Sequence, residues 1–364
     1  MPRWWLPTSL TVCALLLLSP SADAQTRRRH RRRYRGDTTA ALAAPAAAPA
    51  LTTAAPPPAS AARDEVPILY AAPGYAPPNP YRAGGSVDRH FGAVPENDIL
   101  ATLRTAPVRG NLRNYGNTSV NIRVDFPGPI DGSYKPSELR HEEHWRAEIA
   151  AFRLSQLLGL ECVPPAVFRV VPEEDLHTGA RYGVTFSGGV SRGAMIYWVP
   201  VLRPSGVGSV ESLSYWSERL TAGVVLADAE RPRAREVSDL IAFDFLIANW
   251  DRWNGLNTLE DGDGHLVYRD NNAGFQVPLR TSRYRRVLGW LHRSQRFSRS
   301  LVGRARALTL ETLRDAMADD TDGNNTQLLT DAQLREVLRR RDVMVAYVDA
   351  LVHRYGQTAV YAFP

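Results

Sequence analysis

Apolar and polar residues alternate from Val120 to Phe126, the two-residue period of a half-buried β-strand. Pro127-Gly128-Pro129 and Asp131-Gly132 then turn the chain toward Ser133-Tyr134-Lys135-Pro136. The period lengthens after that. Between 138 and 159, Trp145, Ile149, Phe152, Leu154, Leu157 and Leu158 fall on one broad face, which predicts a helix that Gly159 stops. Ala166 to Val171 and Tyr182 to Phe186 read as strands, Gly188-Gly189 as a turn, and Ala194 to Leu202 as a third apolar run. The stretch from Asn97 to Pro136 reads as turns and short alternating segments. Helical periodicity dominates after Ser209, apart from a hairpin near 257 to 277 with Asp261-Gly262-Asp263-Gly264 at its tip. No internal repeat interrupts this order.

A strand-rich half with one helix, followed by a larger helical half, predicts an α+β fold of two lobes. The boundaries fall at about 89–200 and 201–364, with the connection near Trp198 to Pro204. A cleft between such lobes is where ligands usually sit.

The first 88 residues break this pattern. Arg3, the apolar run Leu10 to Leu18 and the small residues Ala22 and Ala24 follow in the order of a secretory signal, predicting residues 1–24 as a signal peptide. That implies export to a periplasmic or extracellular space. Residues 25–88 are Arg-rich, then rich in Ala, Pro and Thr, and read as a disordered linker.

Charge sharpens the picture. The chain has 364 residues and a formal net charge of +6, but seven arginines between 27 and 35 account for all of it. The folded part is close to neutral, which excludes a domain-wide basic surface for nucleic acid. The arginine cluster suits anionic lipid or another polyanion, and reads equally as a solvated tail. Two cysteines exclude a disulfide scaffold or a Cys-rich zinc module; cleavage at the signal would leave only Cys162.

Lys135 is the only lysine; every other strong base is arginine. A lone lysine suggests a compact point charge set against a phosphate. Glu148, thirteen residues later on the expected helix, can pair with it. Glu142 and Glu143 are rival partners nearer the helix start, where carboxylates favour the dipole. A second constellation is DLIAFDFLIANWDRWNGLN over 239–257, where an apolar helix ends and Asp251, Asn254 and Asn257 follow. LVYRDNNAGF over 266–275 then places Asp270 at the end of a short strand. An Asp that orients a hydroxyl, an Asn that holds a metal and a second Asp on the metal are the parts phosphoryl transfer requires. His141-Glu142-Glu143-His144 lacks the HExxH spacing of a zinc hydrolase, Asp319 to Asn324 lacks EF-hand spacing, and Ser187-Gly188-Gly189 reads as a hairpin turn.

DFLIANWDRWNGLN followed by RDNNAGF resembles the catalytic and metal-binding loops of the atypical secretory-pathway kinases, the four-jointed and Golgi casein kinase group. It is more distantly similar to HipA-like and phosphoinositide kinases. YKP with RAEIAAFRLSQLLGLECVPP resembles the lysine strand, glutamate helix and next strand of that superfamily, and the tail from Leu338 resembles the closing helices of bacterial members. The resemblance covers roughly 95–364 and implies a protein-kinase-like fold using ATP with Mg²⁺ or Mn²⁺. It implies that Lys135 binds the α/β phosphates, Glu148 pairs with it, Asp251 is the catalytic base and Asp270 a metal ligand. Asn257 is the implied second metal ligand and Asn254 the alternative, since ordinary kinases carry that Asn at the position of Leu256. No GxGxxG lies upstream; Gly110 to Gly116 is a loose substitute. Two readings follow: an exported kinase acting on a hydroxyl of a protein, glycan or small molecule, or an exported pseudokinase serving as a binding or scaffold module.

Overall fold

The computed structural model describes residues 89–364 apart from 117–118, 140–142, 177–182, 256 and 319–326. The expected signal peptide, arginine cluster and linker lie outside the described residues, as do His141, Glu142, Leu256 and Asp319 to Asn324.

A short hairpin, β1 (His90–Phe91) with β2 (Val94–Pro95), leads into α1 (Glu96–Thr105). This helix stands where the sequence suggests turns. Ile99, Leu100 and Leu103 alone make its apolar face, too few for a helical period to stand out. Glu96 and Asp98 in the first turn and Arg104 in the last complement its dipole.

Five antiparallel strands follow: β3 (Arg109–Asn114), β4 (Ile122–Asp125), β5 (Asp131–Pro136), β6 (Ala166–Pro172) and β7 (Val190–Tyr197). Their spatial order is β3-β4-β5-β7-β6, which puts β5 at the centre. Helix α2 (His144–Leu158) packs against β6 and β7 and ends at Gly159, whose φ of +68° only glycine adopts freely. It begins at His144 and not at the expected 138, where Glu138 instead stays extended and bridges Val184. Opposite Pro136 stands Gly193, where a Cβ would lie 2.4 Å from the Lys135 carbonyl; a side chain there would push β7 off β5. Residues 183–186 do not form the expected strand. Val184 makes one isolated bridge to Glu138 and the Thr185 amide bonds Ser137, so the segment caps the end of β5 instead of extending the sheet.

Residues 198–202 carry the chain from this sheet to β8 (Arg203–Pro204), which pairs with the hairpin of β9 (Thr258–Glu260) and β10 (Leu266–Tyr268). The rest is helical: α3 (Val210–Arg219), α4 (Arg231–Ile247), α5 (Thr281–Leu291), α6 (Arg299–Ala307), α7 (Leu310–Met317), α8 (Asp331–Tyr355) and α9 (Gln357–Val360). From Val237 to Ile247 every residue of α4 is buried, because α3, α5, α8 and β10 surround it. The fold is thus the expected α+β, kinase-like arrangement of a strand-rich part with one key helix and a larger helical part. Among the described residues no helix is long and apolar enough to cross a membrane.

One buried acid on α4 makes stability depend on pH. Burial pushes the Asp239 carboxyl up to about 7, against the pull of Arg235. A carboxyl raised on folding binds more protons than its unfolded counterpart, so its contribution is full below about pH 4 and lost as pH rises through 7. Urea unfolding is expected to show stability falling between about pH 4 and pH 7. In Asp239→Asn that slope should flatten by on the order of 2–4 kcal/mol.

Candidate active site

Strand β5 delivers Lys135 into the interior, where it is 8% exposed. Its Nζ donates to Glu148 Oε1 at 2.5 Å and to Asp270 Oδ1 at 2.7 Å. Burial opposes the ammonium charge, but the Asp270 and Glu148 carboxylates outweigh it and hold Lys135 above the ordinary lysine range. Lys135 in turn holds the Asp270 carboxyl below the usual aspartate range. Both Glu148 oxygens also accept the Asn271 backbone N–H, each at 3.1 Å, so α2 grips lysine and loop together. Asp270 itself sits at φ +60°, a left-handed conformation uncommon for a non-glycine residue and characteristic of constrained sites. Glu143 is the wrong partner for Lys135: its side chain is 74% exposed and lies 3.5 Å from Arg146.

The α4 terminus supplies the second half. The helix ends at Ala248 in the left-handed region, and the Phe275 amide caps the Ile247 carbonyl at 2.6 Å. Asn249 then spans the site: its Nδ2 donates to the Asp270 carbonyl at 3.3 Å and its Oδ1 accepts the Asp251 amide at 3.3 Å. Asn257 Nδ2 donates to the Asp251 carbonyl at 3.1 Å, and the Asn254 side chain bonds the Asp251 carboxyl. Burial pushes that carboxyl up, the Asn254 bond pulls it down, and the Asp270 charge adds to the rise. All the site residues read from the sequence therefore belong to one connected network, with Asp251 and Asp270 close enough to feel each other's charge.

The sequence reading missed the residue that welds the halves together. Arg252 is fully buried. Its Nε donates to both Asp244 oxygens at 3.2 and 3.0 Å, and its Nη1 to the Asn257 carbonyl at 2.7 Å and to the Arg269 carbonyl. Its Nη2 reaches Asn271 Oδ1 at 2.6 Å. One guanidinium thus ties α4, the Asp251 loop and the Asp270 loop. Burial pushes Asp244 up to about 6 despite Arg252. The signal was present in DLIAFDFLIAN: an acid in an otherwise apolar helix run requires a buried partner.

A cavity of about 320 Å³ opens beside these groups. Lys135, Glu148, Asp270 and Asn271 line one end; Val163, Ala166, Ile196 and Val267 make it apolar elsewhere, with Trp198 from the connecting segment. Asp251 stands apart from this lining and is flanked by a cationic surface. The Arg283 guanidinium lies 3.9 Å from the Trp250 ring centroid and that of Arg286 lies 5.9 Å away. The β3–β4 connection replaces a glycine-rich loop with a turn in which Asn114 Oδ1 accepts the Gly116 and Asn121 amides at 2.9 and 3.0 Å.

Comparison with known proteins bears on the fold. No protein-family profile and no curated protein matches the chain. Solved structures do. A Golgi casein kinase aligns over 73% of this chain and 77% of its own, at 15% identity and a TM-score of 0.53. The Golgi casein kinase with Mn and ADP bound aligns over 73% and 78%, at 16% identity and a TM-score of 0.52. Hydra Fam20 with sugar aligns over 72% and 91%, at 18% identity and a TM-score of 0.55. The chain therefore has a Fam20-like atypical kinase fold, the class anticipated from its loops.

Proposed function

We propose that this protein is an exported atypical kinase that moves a phosphoryl group from a nucleoside triphosphate, ATP, to a hydroxyl acceptor. The observation that carries this reading is the single network joining Lys135, Glu148 and Asp270 to Asp251. The cavity supports it: an apolar section suits a nucleobase and the Lys135 end suits phosphates. Lys135 offers a point charge to the phosphates, and Glu148 with Asn271 fixes its position. Asp251, raised by burial and outside the nucleotide cavity, is placed to take the proton of the acceptor hydroxyl. The leader-like N-terminus supports export.

The donor set fits a hard cation. The Asp270 side chain keeps 32% of its surface exposed beyond the Lys135 contact, and Asn257 donates through nitrogen, which leaves its amide oxygen as a ligand. Bound there, Mg²⁺ or Mn²⁺ would neutralise phosphate charge. Among the described residues no group of three His, Cys, Asp or Glu is arranged to hold a metal, so water and nucleotide oxygens would complete the ligand set. Mn²⁺ alone should bind weakly and Mn²⁺ with ATP tightly.

Around Asp251, the cations Arg283 and Arg286 beside Trp250 favour an acceptor that carries negative charge near its hydroxyl. Arg283→Glu with Arg286→Glu is expected to raise KM for such an acceptor by about tenfold or more, leaving ATP affinity unchanged. Steady-state kinetics with one anionic and one neutral acceptor separate the effect.

The direct Lys135–Asp270 contact and the absent glycine-rich loop favour the second reading, a pseudokinase acting as a scaffold. Thermal unfolding of the full chain with ATP and Mn²⁺ decides between them. Ligand at about 100 times its Kd should stabilise the protein by about 2.7 kcal/mol. No shift at millimolar nucleotide supports the scaffold.

A further inference from the structure

A second, larger cleft of about 950 Å³ lies on the other side of β10. Val267 lines both this cleft and the cavity of Lys135, so one strand separates them. The lining of the second cleft carries more acids than bases: Asp228, Glu236, Asp261 and Asp263 join Asp239, although Arg231 pairs with Asp228 and His265 with Glu236. Asp239 differs from the others. It is 6% exposed, and its Oδ1 is buried with no hydrogen-bond partner among the described residues. Its Oδ2 is ion-paired with Arg235 Nε at 3.6 Å, longer than an ordinary hydrogen bond. Leaving a buried carboxylate oxygen unmatched is costly, and the fold retains it at a cavity wall. Beside it, Tyr268 is committed elsewhere: its hydroxyl donates to the Glu236 carbonyl at 2.5 Å. Phe91, Pro232 and Leu266 add apolar surface.

We propose that this cleft binds a guanidinium group on an apolar stem, with the Asp239 carboxylate as its acceptor. A guanidinium can displace Arg235 at the Asp239 carboxylate, the stem covers the Phe91 and Leu266 surface, and the net acidic lining attracts the positive charge. Metal binding fits less well, since no three-ligand cluster occurs among the described residues. Arg235 is the internal competitor; its side chain is 44% exposed and only grazes Asp239. The guanidinium can come from a small molecule or from an arginine in a peptide.

Isothermal titration of the full chain at about pH 8, where Asp239 is ionised, with N-acetyl-arginine amide and with n-butylguanidinium tests this, with N-acetyl-citrulline amide as the uncharged isostere. Both guanidinium probes should bind and the citrulline compound should not. A preference for the arginine amide assigns the site to peptides, and equal binding assigns it to small molecules. Asp239→Asn should weaken binding by about tenfold or more. Arg235→Ala removes the competitor and should tighten it, which keeps the test decisive if the Asp239 variant fails to fold. Saturating ATP should leave the probe bound. Equal binding of the citrulline isostere, unchanged affinity in Asp239→Asn, no tightening in Arg235→Ala, or displacement by ATP would each overturn the proposal. The outcome is independent of whether the Lys135 site transfers phosphate.

Discussion

Asp251→Asn is expected to lower turnover by on the order of 10²–10⁴ while ATP affinity stays within about twofold. The substitution removes a proton acceptor and little else. Asp251 stands outside the lining of the Lys135 cavity, and its backbone, which holds Asn249 and Asn257, is untouched. An amide at this position can still bond Asn254. The loss therefore falls on the chemical step, and single-turnover rates measured beside equilibrium ATP binding should show it there. A parallel collapse of ATP affinity would place Asp251 among the nucleotide contacts instead.

The second large effect concerns Arg252. Replacing it by Met leaves the Asp244 carboxylate, the Asn257 and Arg269 carbonyls and the Asn271 amide oxygen without their donor, all in the interior. Removing one partner of such a buried pair costs about 3–5 kcal/mol. Arg252→Lys keeps the charge but not the planar fork, and should recover only part of this. Arg252→Met combined with Asp244→Leu should also recover part, because the orphaned carboxylate is gone while the carbonyls remain unmatched. Urea unfolding of the three variants reads these differences. Equal stability of Arg252→Met and wild type would mean that the guanidinium is not the tie between the two loops.

Parts of this design were legible in the chain and parts were not, for physical reasons. β4 announces itself by alternating burial, α2 by the spacing of its apolar residues, β6 and β7 by apolar runs, and the β9–β10 hairpin by its Asp-Gly turn. α1 stays hidden because only three of its ten residues are large apolar side chains. Residues 183–186 mislead because their β-like composition serves one bridge and one amide bond at the end of β5. At the site, Lys135 stood out by its uniqueness and Asp251, Asn254, Asn257 and Asp270 by their order. Glu148 followed only from its helical spacing. Arg252 could not be singled out in a chain where arginine supplies almost every positive charge, although Asp244 inside an apolar helix pointed to a buried partner. Asn271 meets Glu148 through its backbone N–H, which no side-chain identity reveals.

The central claim is that Asp270 serves the metal and nucleotide while Asp251 serves the acceptor. The most direct measurement is the ATP dissociation constant with and without Mn²⁺ for wild type, Asp270→Asn and Asp251→Asn. Mn²⁺ should strengthen ATP binding to wild type and to Asp251→Asn, and that gain should vanish in Asp270→Asn, which has lost a charged oxygen ligand. Abolished ATP binding in Asp251→Asn together with unchanged metal dependence in Asp270→Asn would contradict the assignment of the two aspartates.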